Sequence, residues 1–561
     1  MNSKRKKTPK STAASSAASR QPADAGGCPV HGGNPSPPAA SIAQGAGDAG
    51  SGGGGGCPIR RHGFHPSDII PPRSKYFDSG RFGRIFGELP PFAADTPLIR
   101  DALREIGEKG GIMDANDKLS KGPKELITDA NLQKKNQNNP AMGAGMTFLG
   151  QFLDHDMTFD PTSSLERQVD PEQIANFRTP TLALDNLYST GPGGSPHLYE
   201  KGTGPKFLVE PIPGTSKPVR FDVPRNSQEI ALIGDPRNDE NMIVSQLHVG
   251  FLRFHNAVVD HLVAEGITGA DLFPEAQRVV RWHYQWIIVH EFLRLTCGAE
   301  VVEDVLTHGR KFYHWRNEPF IPVEFSVACY RFGHSQVRPS YRANFKGGTG
   351  RSELFQFIFK DTPDHDSTPE NDDLSGSSRR KWRFIDWQTF FDFGDGRMRN
   401  NKKIDTALST PLFKLPGSVV PEPDPRVNPR SLATRNLLRH LTFSLPSGQR
   451  IYKAMRAKIP TLQELPAHEL KDLEKYGLHT RTPLWFYILR EAGVLAAGEH
   501  LGPVGGRIVA EVFLGLLQGD YKSYLHQDPD WTPHLPRLTG KPAGDFTIAD
   551  LLNFAGVVAP L

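Results

Sequence analysis

Gly150, Gln151, Phe152, Leu153, Asp154, His155 and Asp156 (GQFLDHD) set an amide, an imidazole and two carboxylates within seven residues. On a helix, Gln151 and His155 stand four residues apart and share a face, while Asp154 and Asp156 project to either side of the imidazole. One side chain can then face a reaction centre while its neighbours hold a cofactor or a metal. Alone, the cluster reads more readily as a solvated acidic helix end with an ordinary His. Its meaning depends on what the rest of the chain supplies.

The chain has 561 residues, with 37% hydrophobic content, enough for a large core. Residues 1–20 carry six Lys or Arg and no acid, and the remainder holds 60 basic against 62 acidic residues, so the basic surplus belongs to a tail. From Gln21 to about Gly56 the composition is mostly Gly, Ala, Pro and Ser, too poor in apolar side chains to order itself. Residues 1–60 are therefore expected to be a disordered arm and 61–561 one large domain. The arm's lysines read as a solvated tail, and no nucleic-acid partner is expected. No apolar segment follows the basic start and no run is long enough for a membrane span. The expectation is a protein without a conventional signal peptide, cytoplasmic or non-classically secreted.

Four cysteines make no disulfide framework. Cys28 (CPVH) and Cys57 (CPIRRH) lie in the arm, where a Cys near a His is weak grounds for a metal site. Cys297 and Cys329 sit in apolar surroundings and read as core thiols.

Beyond the arm the periodicity is mostly helical. Helices are predicted over Asn241 to Glu265, Glu275 to Leu295 and Gly506 to Tyr521, the last apolar all round and so buried. Short β pieces are expected near Lys206 to Phe221, without a sheet architecture. The fold class is mainly α.

Two further residues bear on GQFLDHD. Arg237 lies in the polar turn GDPRNDEN before the Asn241 helix, and His255 lies within that helix in FLRFHN. A mid-helix His is either a hydrogen-bonded core residue or an axial metal ligand. Taken together, two histidines on separate helices, a Gln and an Arg match what a peroxidase requires. An axial His donates to haem iron, an opposite His moves a proton on and off peroxide, and an Arg stabilises the charge that develops.

Five motifs in order, GQFLDHDMTFDP, GDPRNDEN, FLRFHN, EFSVACYRFGHSQVRP and TPLWFYILREAGVL, resemble the animal-type haem peroxidases of the peroxidase and cyclooxygenase superfamily, in a bacterial form. The resemblance implies haem b held between helices of one domain, with His155 the distal His, Gln151 its partner, Arg237 the distal Arg and His255 the iron ligand. It implies hydrogen peroxide as oxidant and small electron donors. Asp154 and Glu240 correspond to carboxylates that can form ester links to haem, Arg331 to a propionate partner, and Asp156 to a calcium ligand. Thr179, the Thr181 carbonyl and Asp185 fit the remainder of that calcium loop.

Three departures follow from the same alignment. Ala328 stands where the family has an Asn accepting the proximal imidazole N–H. Asn241 replaces a Met that chloride-oxidising relatives use, which favours bromide, iodide, thiocyanate or phenolic and organic donors. Ala183 replaces a second Asp in the calcium loop, weakening the site. Two alternatives stand beside the peroxidase: a fatty-acid dioxygenase using a radical at Tyr330, and a haem-bearing adhesion or defence protein of low activity. The intact trio Gln151, His155 and Arg237 favours turnover over a scaffold.

Overall fold

The chain was analysed as a computed structural model that describes residues 82–558, except 159–175, 177, 203, 216–218, 317, 346–352, 361–372, 377, 418, 421–422, 539, 541 and 543. The basic arm, with Cys28 and Cys57, lies outside the described residues. The helices that position the site are α1 (Pro97–Gly107), α2 (Gly145–Met157), α3 (Met242–Ala264), α4 (Leu272–Ile287), α5 (Gly333–Gln336), α6 (Leu432–Thr442), α7 (Leu484–Leu495) and α8 (Pro503–Gly519).

GQFLDHD forms the last two turns of α2. The helix begins at Gly145, packed so closely on Phe391 that a Cβ there would run into its ring. In α3 the periodic apolar residues are buried, and the helix starts where the chain provides a cap: Asn241 Oδ1 accepts the Val244 amide at 3.0 Å. The predicted 275–295 helix is α4 continued through a π turn (Ile288–Phe292) into a short helix ending at Cys297. α8 is buried on every side from Val504 to Leu517. Its first amides are satisfied by a carboxylate from α7, since Glu491 accepts from Val504 N at 3.1 Å and Gly505 N at 3.2 Å. Burial pushes the Glu491 carboxyl up to about 8 despite these bonds.

Strands among the described residues form only two-stranded ribbons. β1 (Asn138–Gly143) leads into α2 and pairs antiparallel with β4 (Asn400–Lys402), while β2 (Ser340–Asn344) pairs antiparallel with β3 (Leu354–Phe357), placing Tyr341 opposite Gln356. The β pieces expected near 206–221 are present as Glu210–Pro211 against Phe221–Asp222. The segment Glu324 to Gln336 changes from a π turn to a 3-10 turn to α5, with the backbone breaking at Ala328 (φ −125°, ψ −71°). Such irregular helix keeps its backbone bonded while turning side chains in directions a regular helix would not permit. Trp485 of α7 fixes this turn, its indole N–H donating to the Arg331 carbonyl at 3.0 Å.

α2 and α3 meet through Phe152 and Phe251, whose rings stack with centroids 4.6 Å apart and planes 4° from parallel. Phe152 is completely buried. Phe152→Ala is expected to cost about 3–5 kcal/mol, read as a lowered urea midpoint.

Candidate active site

α2, the GDPRNDEN turn, the Arg331–His334 turn and α6 enclose a cavity of about 370 Å³. Gln151, Asp154 and His155 all line it, as the helical spacing required. Asp156 faces the other way, buried among Tyr284 and the Leu184 backbone. One turn of helix thus separates a cavity face from a packed face.

His155 is 5% exposed, and its Nδ1 donates to Asn238 Oδ1 at 2.7 Å. Burial, reinforced by Arg237, lowers its pKa to about 4, so the ring is neutral at pH 7. Arg237 sits in a 3-10 turn and is held by Asp235, which receives Nε at 3.0 Å and an Nη2 proton at 2.8 Å. The same Nη2 donates to the carbonyls of His155 (3.0 Å) and Thr158 (2.6 Å). Asp235 is itself fully buried and also bound by Arg178 at 2.5 Å. These two guanidinium groups outweigh burial and hold its carboxyl well below the usual range. Asn241 donates to Gln151 Oε1 at 3.3 Å, joining the start of α3 to α2.

Asp154 and Glu240 open onto the same cavity with opposite electrostatics. Burial would raise the Asp154 carboxyl, but Arg331, His155 and Arg237 together lower it; the Arg331 guanidinium is 3.8 Å away. Burial raises Glu240, with Arg237 only partly offsetting it.

His255 does not reach this cavity. It is completely buried among Tyr188, Phe207 and Phe273, Nε2 donating to the Pro205 carbonyl at 2.9 Å and Nδ1 accepting from the Tyr188 hydroxyl at 3.0 Å. With both nitrogens engaged it has no lone pair for iron. The axial role expected for His255 is therefore corrected: FLRFHN is a clamp, in which Asn256 also accepts from Phe207 N (2.7 Å) and donates to Phe207 O (2.9 Å).

The second cavity imidazole is His334, the His of RFGH, for which the sequence motif gave no expected role. Its Nδ1 is 2.7 Å from the Asn436 side-chain amide, and Nε2 has no hydrogen-bond partner among the described residues. Burial, with Arg331, lowers its pKa to about 3. Where an acceptor was expected at Ala328, the ring instead meets Asn436 of α6, more than a hundred positions along the chain, which turns its amide nitrogen, a donor, toward Nδ1. Neither Asn238 nor Asn436 carried a sequence signal beyond lying in a polar turn and on a helix. Tyr330 borders the cavity, but its hydroxyl donates to the Gly150 carbonyl at 2.9 Å and its ring stacks on Phe325. That bond fits a structural Tyr.

The calcium-loop residues also converge. Asp156 Oδ2 accepts from Leu184 N and from Tyr284, each at 3.0 Å, whereas its Oδ1 and the Thr181 hydroxyl are buried without partners among the described residues. Thr179 donates to Asp185, and Leu184 between them adopts a left-handed φ of 63°. Burial, then the nearby Asp185, pushes the Asp156 carboxyl up to about 7. Two carboxylates and two hydroxyls with orphaned oxygens form an oxygen-only donor set that suits a hard cation.

The family model for animal haem peroxidase matches residues 200–374, which include Arg237, Glu240, Arg331 and His334. Over these residues the chain matches the animal haem peroxidase family. The family implies a haem cofactor. The chain is similar to a peroxidase-like protein of Margaritifera margaritifera, 32% identical over 154 residues (25% of this chain, 19% of that one). It is also similar to peroxidasin of Drosophila melanogaster, 24% identical over 411 residues (68% of this chain, 24% of that one). It therefore spans a quarter or less of these two relatives. Peroxidase A from Dictyostelium discoideum, a solved structure, aligns with a TM-score of 0.49 and 15% identity over 80% of this chain and 89% of that one. No described helix is long and apolar enough to cross a membrane.

A carboxyl raised in the fold favours folding when protonated, and this contribution is full below the ordinary carboxyl pKa and lost as pH rises through the folded value. With divalent cations chelated, the melting temperature should fall between about pH 4 and pH 7. Asp156→Asn should flatten that fall, and an unchanged pH profile in the variant would contradict it.

Proposed function

We propose that the cavity holds haem b and that the protein is a peroxidase, reducing hydrogen peroxide and oxidising small donors, with His334 as axial imidazole and His155 as proton carrier. One observation carries this reading: two imidazoles border one cavity, each with an asparagine side-chain amide against Nδ1, the oxygen of Asn238 at His155 and the nitrogen of Asn436 at His334. An axial role for His334 requires the Asn436 amide to turn over, so that its oxygen takes the Nδ1 proton and Nε2 keeps its lone pair. Gly333 adds to it. A Cβ there would meet nothing within 4 Å and its φ is ordinary, so packing does not demand a glycine beside His334. Its missing side chain leaves room for a flat ring to approach the imidazole. Arg331, Arg435 and Arg439 border the same cavity and suit the ring's carboxylates.

Bound haem supplies the two-electron reduction of peroxide and the oxidation of the donor. The chain's own share is proton transfer and charge. Neutral His155 accepts a proton from peroxide at Nε2 and returns it to the departing oxygen. Arg237, braced by Asp235, places a fixed positive charge beside that imidazole, where negative charge develops. Asp154 and Glu240 are the carboxylates proposed for ester attachment, and Asp156, Thr179, Thr181 and Asp185 are proposed to hold Ca²⁺. With Asn241 capping α3, the proposed donors are bromide, iodide, thiocyanate or phenolic and organic compounds.

His155→Ala should lower the rate of peroxide reduction by about 10²–10⁴-fold and leave haem bound. His334→Ala should lose the axial-imidazole haem spectrum, whereas His255→Ala should keep that spectrum with a lowered melting temperature. Retention of the wild-type spectrum by His334→Ala would refute the axial assignment.

A further inference from the structure

The amide that holds His155 has a second imidazole behind it. On the far side of Asn238, its Nδ2 lies 3.0 Å from Nδ1 of His248, one side chain down α3 on the face turned to the distal helix. Asn238 and His248 are 0% and 1% exposed. The amide oxygen can only accept and the amide nitrogen can only donate. With its oxygen toward His155, Nδ1 of that ring must carry the proton, and Nε2 is left with its lone pair. With its nitrogen toward His248, Nδ1 there must be bare, and the His248 proton sits on Nε2, a buried atom without a partner.

Turning the amide over would exchange every assignment. His155 would hold its proton at Nε2 and could no longer accept one. The contact lengths fit the first orientation, with the shorter 2.7 Å contact as N–H···O and the longer 3.0 Å contact as N–H···N.

We propose that Asn238 and His248 act as a tautomer lock on His155: the amide, braced by the second imidazole, keeps the cavity imidazole in the form whose Nε2 can accept a proton. The proposal rests on reading His155 as the proton carrier. Neither residue touches substrate, so both are positioning residues. His248, bare at Nδ1, gives the Asn238 amide nitrogen an acceptor on the side away from the cavity. Without His248, the Asn238 nitrogen would turn toward His155 and force the wrong tautomer. A single stretch of chain supplies the lock: Asn238 lies in the turn before α3 and His248 on its second turn.

The test uses the full chain without haem, labelled with ¹⁵N-histidine, with long-range ¹H–¹⁵N spectra assigned through His155 and His248 variants. Wild type should show His155 protonated at Nδ1 and His248 at Nε2. Asn238→Asp, whose carboxylate only accepts, should leave His155 unchanged and move the His248 proton to Nδ1. His248→Leu should move the His155 proton to Nε2 and, in the haem-loaded enzyme, lower kcat/KM for hydrogen peroxide by about tenfold to a hundredfold. His248→Gln, which can accept from the Asn238 nitrogen, should restore both the tautomer and most of that rate. His155 protonated at Nε2 in wild type would overturn the lock. So would a His248 tautomer that ignores Asn238→Asp, or a rate lost in His248→Leu with the His155 tautomer unchanged. Absence of peroxide turnover in the wild-type holoenzyme would instead overturn the reading on which the lock rests, and the two failures are separable because the tautomers are read without haem.

Discussion

A neutral imidazole has two ring nitrogens and one proton, so whatever occupies one nitrogen decides what the other can do. Three buried or half-buried histidines of this core obey that constraint with different outcomes. His255 spends both nitrogens on a hydroxyl and a carbonyl and serves only to fasten the Pro205–Phe207 segment to α3. His155 donates from Nδ1 to an asparagine oxygen, His334 receives an asparagine nitrogen at Nδ1, and both rings border one cavity. The rest of the fold serves largely to deliver those partners: the turn before α3 brings Asn238, and α6 brings Asn436.

Charge is arranged around the same cavity with comparable economy. A fully buried Asp235 gathers two arginines, so that Arg237 is held as a cation beside the His155 imidazole, and its swinging away would leave the buried carboxylate with Arg178 alone. Arg331 is tied by its Nε to the Ser326 carbonyl at 2.8 Å and by its own carbonyl to Trp485, and its guanidinium keeps Asp154 ionised. Burial raises Glu240 despite the nearby Arg237. Two carboxyl groups on one cavity wall are therefore shifted in opposite directions by their surroundings.

The α2 half of the cavity was legible in the sequence because its members are local. Gln151, Asp154 and His155 share one helix turn, and helical spacing alone fixes which of them face together. The same spacing turns Asp156 to the opposite side, and the cap at Asn241 and the apolar periodicity of α3, α4 and α8 were equally readable. The proximal half was not legible. His255 and His334 are both histidines among apolar residues, and nothing in either neighbourhood says which ring keeps a free nitrogen.

The sequence by itself determined a mainly helical chain, the distal helix and the carboxylates beside it, since these depend on residues a few positions apart and on a period of 3.6. Only the tertiary structure decided the second imidazole. His334 is directed into the cavity by a turn that leaves regular helix at Ala328, and its partner Asn436 comes from a helix about a hundred residues away. Hydrogen bonds over such separations are set by how helices pack, and packing leaves no periodic trace in the sequence.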